Sequence, residues 1–536
     1  MVNLNAGCTI GQVAQLIKMA HEQDSNAATL AYDSSRGEYM NVAAWWHAHR
    51  DGRVYGAKFP KFSYSNSPAG TKTRDNANLK IELSTNATAG RDDYCSLNAF
   101  RTLEVNATID DDGKPHVKAI SGLDNRFKRD GSNGDVWIMH APLFYKVEDT
   151  GTHIEFLISD TKYDGYTDFT GQLLTDGTRR SAILHAKYMA GLDSKNLPVS
   201  ISGVKPARTF GCQNDLIDYS ARKGKGYAGR CTGDDFYVQM MLLIKWATKN
   251  SDVLGGCWGY PGQCAVTVAE TGKTRVIVKT SDANGFLIGS TVNVGTDKER
   301  NNTGNASAAE ARTILSKTTI DASNTALNLD GAAFGTTTSC FVSTMPWKTG
   351  ACDKVQGADG RPQSGSATQQ PFVLQGIEMG NGAYETMHDI IVQATKDADG
   401  NTGHELIWRV DDTFKASKNS TANYTQIGAY PDVPKANDGQ WKYFTDITIC
   451  GGMFIPSGTT ATSTTGMCDA VTGNPVASQG LRQLRRLGNL GDRSNCGLWT
   501  ANLRIGLTNR RWNICSRTSG TSPSKRIFTP QLPSTP

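Results

Sequence analysis

The sequence predicts a mixed fold of the α+β class in which strands outnumber helices. Three observations lead there. Glycine supplies 55 of the 536 residues, above the roughly 7% usual in globular proteins, so tight turns are frequent. Runs with helical spacing are few. Several stretches instead alternate apolar and polar residues with a period of two, the pattern of half-buried strands. A chain this long exceeds what one core organises, and two to four domains are expected.

The elements follow in chain order. Residues 9–23 (TIGQVAQLIKMAHEQ) place Ile10, Val13, Leu16, Ile17 and Ala20 on one helical stripe behind Thr9 as N-cap. Residues 63–89 are rich in Ser, Asn, Thr and Gly around a short apolar run at 79–83, and read as loops and edge strands. A boundary is expected near Asp110, closing an N-terminal α/β region of residues 1–109. Downstream, DVWIMHAPLFYKVEDTGTHIEFLISD holds two apolar runs, 136–145 and 154–158, joined by a Glu-Asp-Thr-Gly turn, which predicts a β-hairpin. Residues 214–222 carry Leu216, Ile217 and Tyr219 at helical spacing and end at KGKG. Residues 236–247 (FYVQMMLLIKWA) are apolar almost all round, so this helix belongs at the centre of the main domain.

Residues 266–345 change character. VTVAETGKTRVIVKTSDANGFLIGSTVNVG alternates on a period of two, and strand-like runs continue at 313–329 and 334–342. Flanked by GYPGQ and by the Gly/Ser/Gln-rich WKTGACDKVQGADGRPQSGSATQQ, this small all-β module reads as an insertion into a loop of a larger domain. That domain comprises residues 110–265 and 346–517, with strands at 372–392 and 405–410, and residues 518–536 form a tail. No repeat of 20–50 residues is present.

The net charge of +5 is too small to suggest a nucleic-acid partner. Its distribution is uneven. Residues 479–536 contain Arg482, Arg485, Arg486, Arg493, Arg504, Arg510, Arg511, Arg517, Lys525 and Arg526 against Asp492 alone, which predicts a basic face turned to solvent or to an acidic partner. No stretch nears the ~20 apolar residues that span a bilayer, and a basic start with an apolar run and cleavage signal is lacking. No membrane insertion is expected, and synthesis in the cytosol is.

Chemistry-bearing motifs are sparse. The twelve cysteines are scattered singly, without a metal knuckle or a disulfide framework, and are expected as buried thiols. His21, His47 and His49 lack a nearby carboxylate, and Asp110, Asp111 and Asp112 lack the spaced ligands of a calcium loop, so no metal or cofactor is expected. The GxSxG, HExxH and phosphate-loop patterns are absent. Cys496 and Cys515 have no base at identifiable spacing, and no enzymatic activity is expected.

Five segments together carry a resemblance: GDVWIMHAPLFYK (134–146), ISDTKYDGY (158–166), IKWATKNSDVLGG (244–256), QGIEMGNGAYETMHDIIV (375–392) and LWTANLRIGLTNRRWNICSR (498–517). In this order they resemble the C-type-lectin-fold variable proteins of diversity-generating retroelements, such as phage tropism determinants. The resemblance covers roughly residues 110–264 and 345–517. It implies a C-type lectin fold for the main domain and a receptor-binding protein of a phage tail or fibre, carried on the virion and commonly a homotrimer. Its partners would be a host-surface receptor, protein or glycan, and other virion tail proteins. The N-terminal region would then serve attachment or oligomerisation. The family's last segment is rewritten by mutagenesis at template adenines. Asparagine codons changed in this way reach Arg, Ser, Cys, Thr, Ile, Gly, Leu and Asp, but not Lys, Glu, Gln, Met or Trp.

Residues 491–517 match that restriction, containing five arginines but no Lys, Glu, Gln or Met. The resemblance implies a variable, solvent-facing surface made by Asp492, Arg493, Ser494, Asn495, Cys496, Thr500, Asn502, Arg504, Ile505, Gly506, Asn509, Arg510, Arg511, Asn513 and Cys515. The scaffold anchors would be Leu498, Trp499, Leu503, Leu507, Trp512 and Ile514. Arginine is a favoured hot-spot residue, so this variant would suit an acidic or carboxylate-bearing receptor. Ile514 follows Trp512 and Asn513 where calcium-dependent lectins carry Trp-Asn-Asp, so calcium-mediated sugar binding is not implied. The alternatives are a structural fibre or cell-surface adhesin without diversification and, more distantly, an oxidase of the formylglycine-generating type.

Overall fold

The computed structural model describes residues 30–259, 262–297, 307–364, 369–509 and the single positions 514, 515, 517 and 519. The predicted helix at 9–23 lies outside them. Strand takes 37% and helix 11% of the molecule, so the α+β expectation holds in a strongly β-weighted form. No helix among the described residues is long and apolar enough to cross a membrane.

Among the described residues, three large open sheets and a barrel are joined by four two-stranded sheets. A six-stranded sheet runs in the order Tyr32–Asp33, Glu38–Tyr39, Pro115–Ile120, Thr102–Ile109, Val136–His140, Ile183–Ala186. A five-stranded sheet follows the order Thr167–Asp168, Phe144–Asp149, His153–Ser159, Tyr55–Pro60, Thr71–Arg74. The largest sheet has nine strands along the path Thr425–Ala429, Thr402–Arg409, Tyr384–Lys396, Gly480–Leu487, Gly497–Asn502, Ala470–Thr472, Trp441–Tyr443. Off this path, Val433–Pro434 pairs with Thr402–Arg409, and Ile514–Cys515 runs parallel to Tyr384–Lys396.

The central helix, Thr232–Met241, continues through a π-helical turn at Leu242–Trp246, and every residue from 232 to 245 is buried. Its apolar circumference explains why: it packs in one core with Tyr55 and Phe156 of the five-stranded sheet and Leu484 and Trp499 of the nine-stranded sheet. Phe236 stacks on Phe454, which meets Trp499 edge-on at 5.6 Å between ring centres. The helix Gln213–Lys223 lies over residues 214–222 and ends at Gly224, whose φ of 134° suits glycine.

Two expectations are corrected. The boundary at Asp110 falls inside a hairpin: Thr102–Ile109 pairs with Pro115–Ile120, and Asp110 caps the turn by accepting the amides of Asp112 and Lys114 at 3.0 and 2.8 Å. Tyr55–Pro60 also pairs with His153–Ser159. The described part of 1–109 is therefore woven into two sheets with the residues that follow, rather than forming a separate N-terminal domain. The run 136–145 is likewise not one strand. It breaks at residues 141–143, with Val136–His140 in the six-stranded sheet and Phe144–Asp149 in the five-stranded one. Pro142 has no amide hydrogen to give a ladder, so the chain changes sheets there. The hairpin partner of His153–Ser159 is the second half alone.

Residues 263–345 close into a six-stranded barrel over nearly the stretch marked by alternation, in the order Gln263–Val268, Arg275–Lys279, Asn324–Leu329, Ala309–Thr319, Thr291–Gly295, Phe341–Met345. Its first and last strands pair with each other, Gln263 opposite Ser343, so the chain leaves and rejoins the main body at one place.

Candidate receptor-binding surface

The segment singled out by its residue types is built around Gly497–Asn502, a strand with all six residues buried. It pairs antiparallel with Gly480–Leu487 on one side and parallel with Ala470–Thr472 on the other. Hydrogen bonds hold its start. Ser251 Oγ accepts the Leu498 amide at 3.0 Å, Asp469 accepts the Trp499 amide at 2.9 Å, and the Trp499 indole N–H donates to the Lys249 carbonyl at 2.7 Å. Gln239 of the central helix donates to the Leu498 carbonyl at 2.9 Å. Position 497 admits only glycine, because a Cβ there would lie 2.0 Å from Ser251 Oγ and 2.4 Å from the Asp469 carboxylate.

A chain of buried ion pairs fixes the flanks. Arg486, on the strand before the segment, donates Nε–H to Asp235 at 2.7 Å and Nη1–H to the Trp499 carbonyl at 3.1 Å. Asp235 accepts Arg230 at 2.6 Å, and Arg230 reaches Glu385 at 2.7 Å. Glu385 then receives Arg517 through Nε and Nη2, both at 2.7 Å. Arg517 also donates to the carbonyls of Ala186 and Glu378 at 2.9 and 2.8 Å. Burial pushes the Glu385 carboxyl up, but Arg517 and Arg230 outweigh it and hold it at about 2. One fork thus serves two carboxylate oxygens and two carbonyls, which a lysine ammonium cannot do in a plane.

The predicted basic face is accordingly corrected. Arg482, Arg485, Arg486 and Arg517 are buried, and of the cations described beyond residue 479 only Arg493 and Arg504 are exposed, Arg510, Arg511, Lys525 and Arg526 lying outside the described residues. Arg485 lies over the Tyr384 ring at 4.6 Å and donates to Asn502 at 2.5 Å. These charges answer internal acceptors instead of an external partner.

The predicted variable positions divide. Arg493, Ser494, Arg504 and Asn509 are exposed, while Asp492, Asn495 and Gly506 are partly so. Cys496, Thr500, Asn502 and Ile505 are buried and do not face solvent. They stay inside because this part of the sheet is covered on both faces, Gly497–Asn502 being buried at every position. Thr500 accepts the Gly497 amide at 2.8 Å and donates to the Asn495 carbonyl at 3.0 Å. Asn502 donates to Tyr384 Oη at 3.0 Å. Burial, with Asp492 and Asp469 nearby, pushes the Cys496 thiol far up, which suits a packing residue and not a nucleophile. Among the anchors, Leu498, Trp499, Leu503 and Leu507 are buried. Arg510, Arg511, Trp512 and Asn513 lie outside the described residues; Ile514 and Cys515 form the parallel strand beside Tyr384 and Glu385.

The exposed residues gather along one sheet edge. Tyr443, on the edge strand Trp441–Tyr443, donates its hydroxyl to Asn495 Oδ1 at 2.9 Å and stands 3.3 Å from Ser494 Oγ. At the other end of that strand, a Cβ on Gly439 would lie 3.9 Å from the Arg504 guanidinium. Arg493, Ser494, Asn495, Tyr443, Trp441 and Arg504 therefore form a rim, whereas Asn509 sits apart beside Gln483. Sequence reading missed Tyr443 and Trp441. Their signal was the alternation in QWKYF, which places two aromatic side chains on one face of a short strand.

No group of three or more metal-ligating side chains stands together among the described residues. His49 gives its ring nitrogen to the Trp45 carbonyl at 2.7 Å, and His47 is exposed. The sequence matches no known protein family, and no curated protein matches it.

Proposed function

We propose that this chain is a non-enzymatic receptor-binding protein of a phage tail or fibre, with a C-type-lectin-like main body whose rim at the nine-stranded sheet contacts the host surface. One observation carries the reading. The segment with the restricted residue set is held at both flanks by buried ion pairs and backbone hydrogen bonds, while Arg493, Ser494 and Arg504 extend from it into solvent. A frame secured in this way tolerates exchange of the exposed side chains. Two exposed arginines beside Tyr443 and Trp441 suit a carboxylate-bearing ligand, since the guanidinium fork pairs with carboxylates and aromatic rings supply contact area. Display as a homotrimer would turn weak single-site binding into avidity.

The test is binding of the purified chain to host cells. Arg493→Ala with Arg504→Ala should weaken binding by at least tenfold and leave the melting temperature unchanged; unchanged binding would move the receptor site elsewhere.

A second reading has its own support. Cys496, Thr500 and Asn502 make specific buried contacts that random exchange would break, which favours a structural fibre or cell-surface adhesin that is not diversified. Flanking DNA separates the two. Diversification requires a near-copy of the 3′ coding end that differs at adenines, beside a reverse transcriptase gene.

A further inference from the structure

At the π-helical end of the central helix, three side chains from distant parts of the chain meet in a closed site. Lys245, on the π-helical end of the central helix, has a side chain only 1% exposed; Asp359 is equally buried and Asp92 is 5% exposed. Lys245 Nζ lies 2.8 Å from Asp359 Oδ2 and 3.6 Å from Asp92 Oδ2. Gln375 Oε1 accepts from Nζ at 2.7 Å and fixes its direction. Asp359 is oriented on both oxygens: the Gln375 amide donates to Oδ1 at 2.8 Å and the Trp246 indole to Oδ2 at 3.3 Å. Tyr94 covers the lysine, its ring centre 5.4 Å from Nζ, and carries Lys72 on its hydroxyl at 2.7 Å. Asp92 Oδ1 accepts the Tyr94 amide at 2.9 Å, but its buried Oδ2 has no hydrogen-bond partner.

We propose that Lys245 and Asp359 become joined by an intramolecular amide bond, with Asp92 relaying the protons, so that the stem of the inserted barrel is covalently closed.

The charge balance fits this chemistry. Two carboxyl groups share one ammonium in a dry site, so one of them keeps its proton. Burial raises Asp92 above the ordinary carboxyl range and makes it the acid. Burial works against the charge of Lys245, but Asp359 and Asp92 outweigh it, so the resting state is an ammonium–carboxylate pair. Condensation starts when one proton passes from Nζ to Asp359 along their contact, leaving a neutral amine and a neutral acid. The nitrogen lone pair attacks Asp359 Cγ while Asp92 protonates the carboxyl oxygen. Asp92 then takes a proton from the attacking nitrogen and passes it to one of the two hydroxyls, which leaves as water, and it recovers a proton from the other hydroxyl as the amide carbonyl forms. One C–N bond forms, one C–O bond breaks, nothing is oxidised or reduced, and Asp92 ends protonated as it began. The Trp246 and Gln375 N–H groups face the oxygens on which charge develops. Each molecule reacts once, so a slow step after folding suffices.

The position gives the bond a use. Residue 245 precedes the barrel and residue 359 follows it, so the bond encloses Gln263–Met345 in a covalent loop. Force on the barrel would then pass through an amide bond and not through the hydrogen bonds of the main body. This inference is independent of what the rim binds.

The test is the intact mass of the purified full chain under denaturing conditions. It should fall short of the sequence mass by one water, and fragmentation should place the loss on a branched peptide joining Lys245 to Asp359. A chain nicked by protease within the barrel should still migrate as one piece after denaturation and reduction. Asp359→Ala should restore the full mass, and Asp92→Asn should slow closure at least tenfold in a chain that still unfolds cooperatively. A folded wild-type chain that keeps its full mass after prolonged incubation overturns the proposal and leaves an ion pair only. Closure at the wild-type rate in Asp92→Asn overturns the relay role of Asp92. The wild-type measurement decides the bond itself whether or not the variants fold.

Discussion

The barrel and the nine-stranded sheet lie in one chain but handle polarity differently. The barrel closes around Val266, Val276, Val278, Val292, Ile314 and Leu327, and none of its described buried side chains is charged. The sheet buries Arg230, Asp235, Glu385, Arg486 and Arg517 in one continuous network with its apolar core. An apolar core draws its stability from area and shape, so it yields gradually to substitution. A buried ion network does not: removing one member strands the next in a medium that cannot solvate it. The difference implies that substitutions in the barrel are graded in effect, whereas those in the frame around Gly497–Asn502 are not.

Breaking the network should have the largest effect. Arg517→Ala leaves Glu385 with Arg230 alone and is expected to cost about 3–5 kcal/mol, read from urea unfolding. Arg517→Lys should recover only part of this, since an ammonium cannot replace the fork; full recovery would mean that charge alone matters.

The pH profile comes next. Glu385 is held at about 2 against an ordinary 4.5, so its stabilisation is complete above 4.5 and is lost as pH falls toward 2. Glu378 and Glu405 are pushed the other way, to about 7, chiefly by burial. The folded state therefore holds their protons more tightly, and they reduce stability as pH rises from 4.5 to 7. Thermal melts across pH should pass through a maximum near the ordinary glutamate value, and Glu385→Gln should flatten its acid side. A flat acid limb in the wild type would show that Glu385 is not held ionised.

In the barrel, Ile314→Val should cost roughly 0.5–1.5 kcal/mol and leave the pH profile as it was. The smallest effect belongs to the rim, where Arg504→Ala should change stability by no more than about 0.5 kcal/mol. A larger loss there would make Arg504 part of the frame and remove it from the candidate surface.

Local patterns were readable in the sequence, and long-range partners were not. Residues 236–247 gave away a buried helix because their apolar circumference leaves no polar face. Alternation from 266 marked the barrel because half of each strand turns inward. Leu498, Trp499, Leu503 and Leu507 were legible as anchors by size and apolarity. The arginines misled, since whether a guanidinium meets solvent or Asp235 and Glu385 depends on residues more than a hundred positions away. Cys496, Thr500 and Asn502 misled for a related reason: membership of a restricted residue set does not say which faces of a strand are covered, and here both are. Tyr443 touches Asn495 across 52 positions, a contact that no spacing rule anticipates.

The pairing of Gln263–Val268 with Phe341–Met345 carries one more consequence. Two neighbouring strands lie about 4.8 Å apart, so the barrel asks of its host only a gap one strand wide. The corresponding stretch of gene has the form of a cassette: replaced by a short turn, it should leave the strand order of the three large sheets unchanged and cost the main body chiefly the packing of Leu287 on Cys257, Trp347 and Leu490.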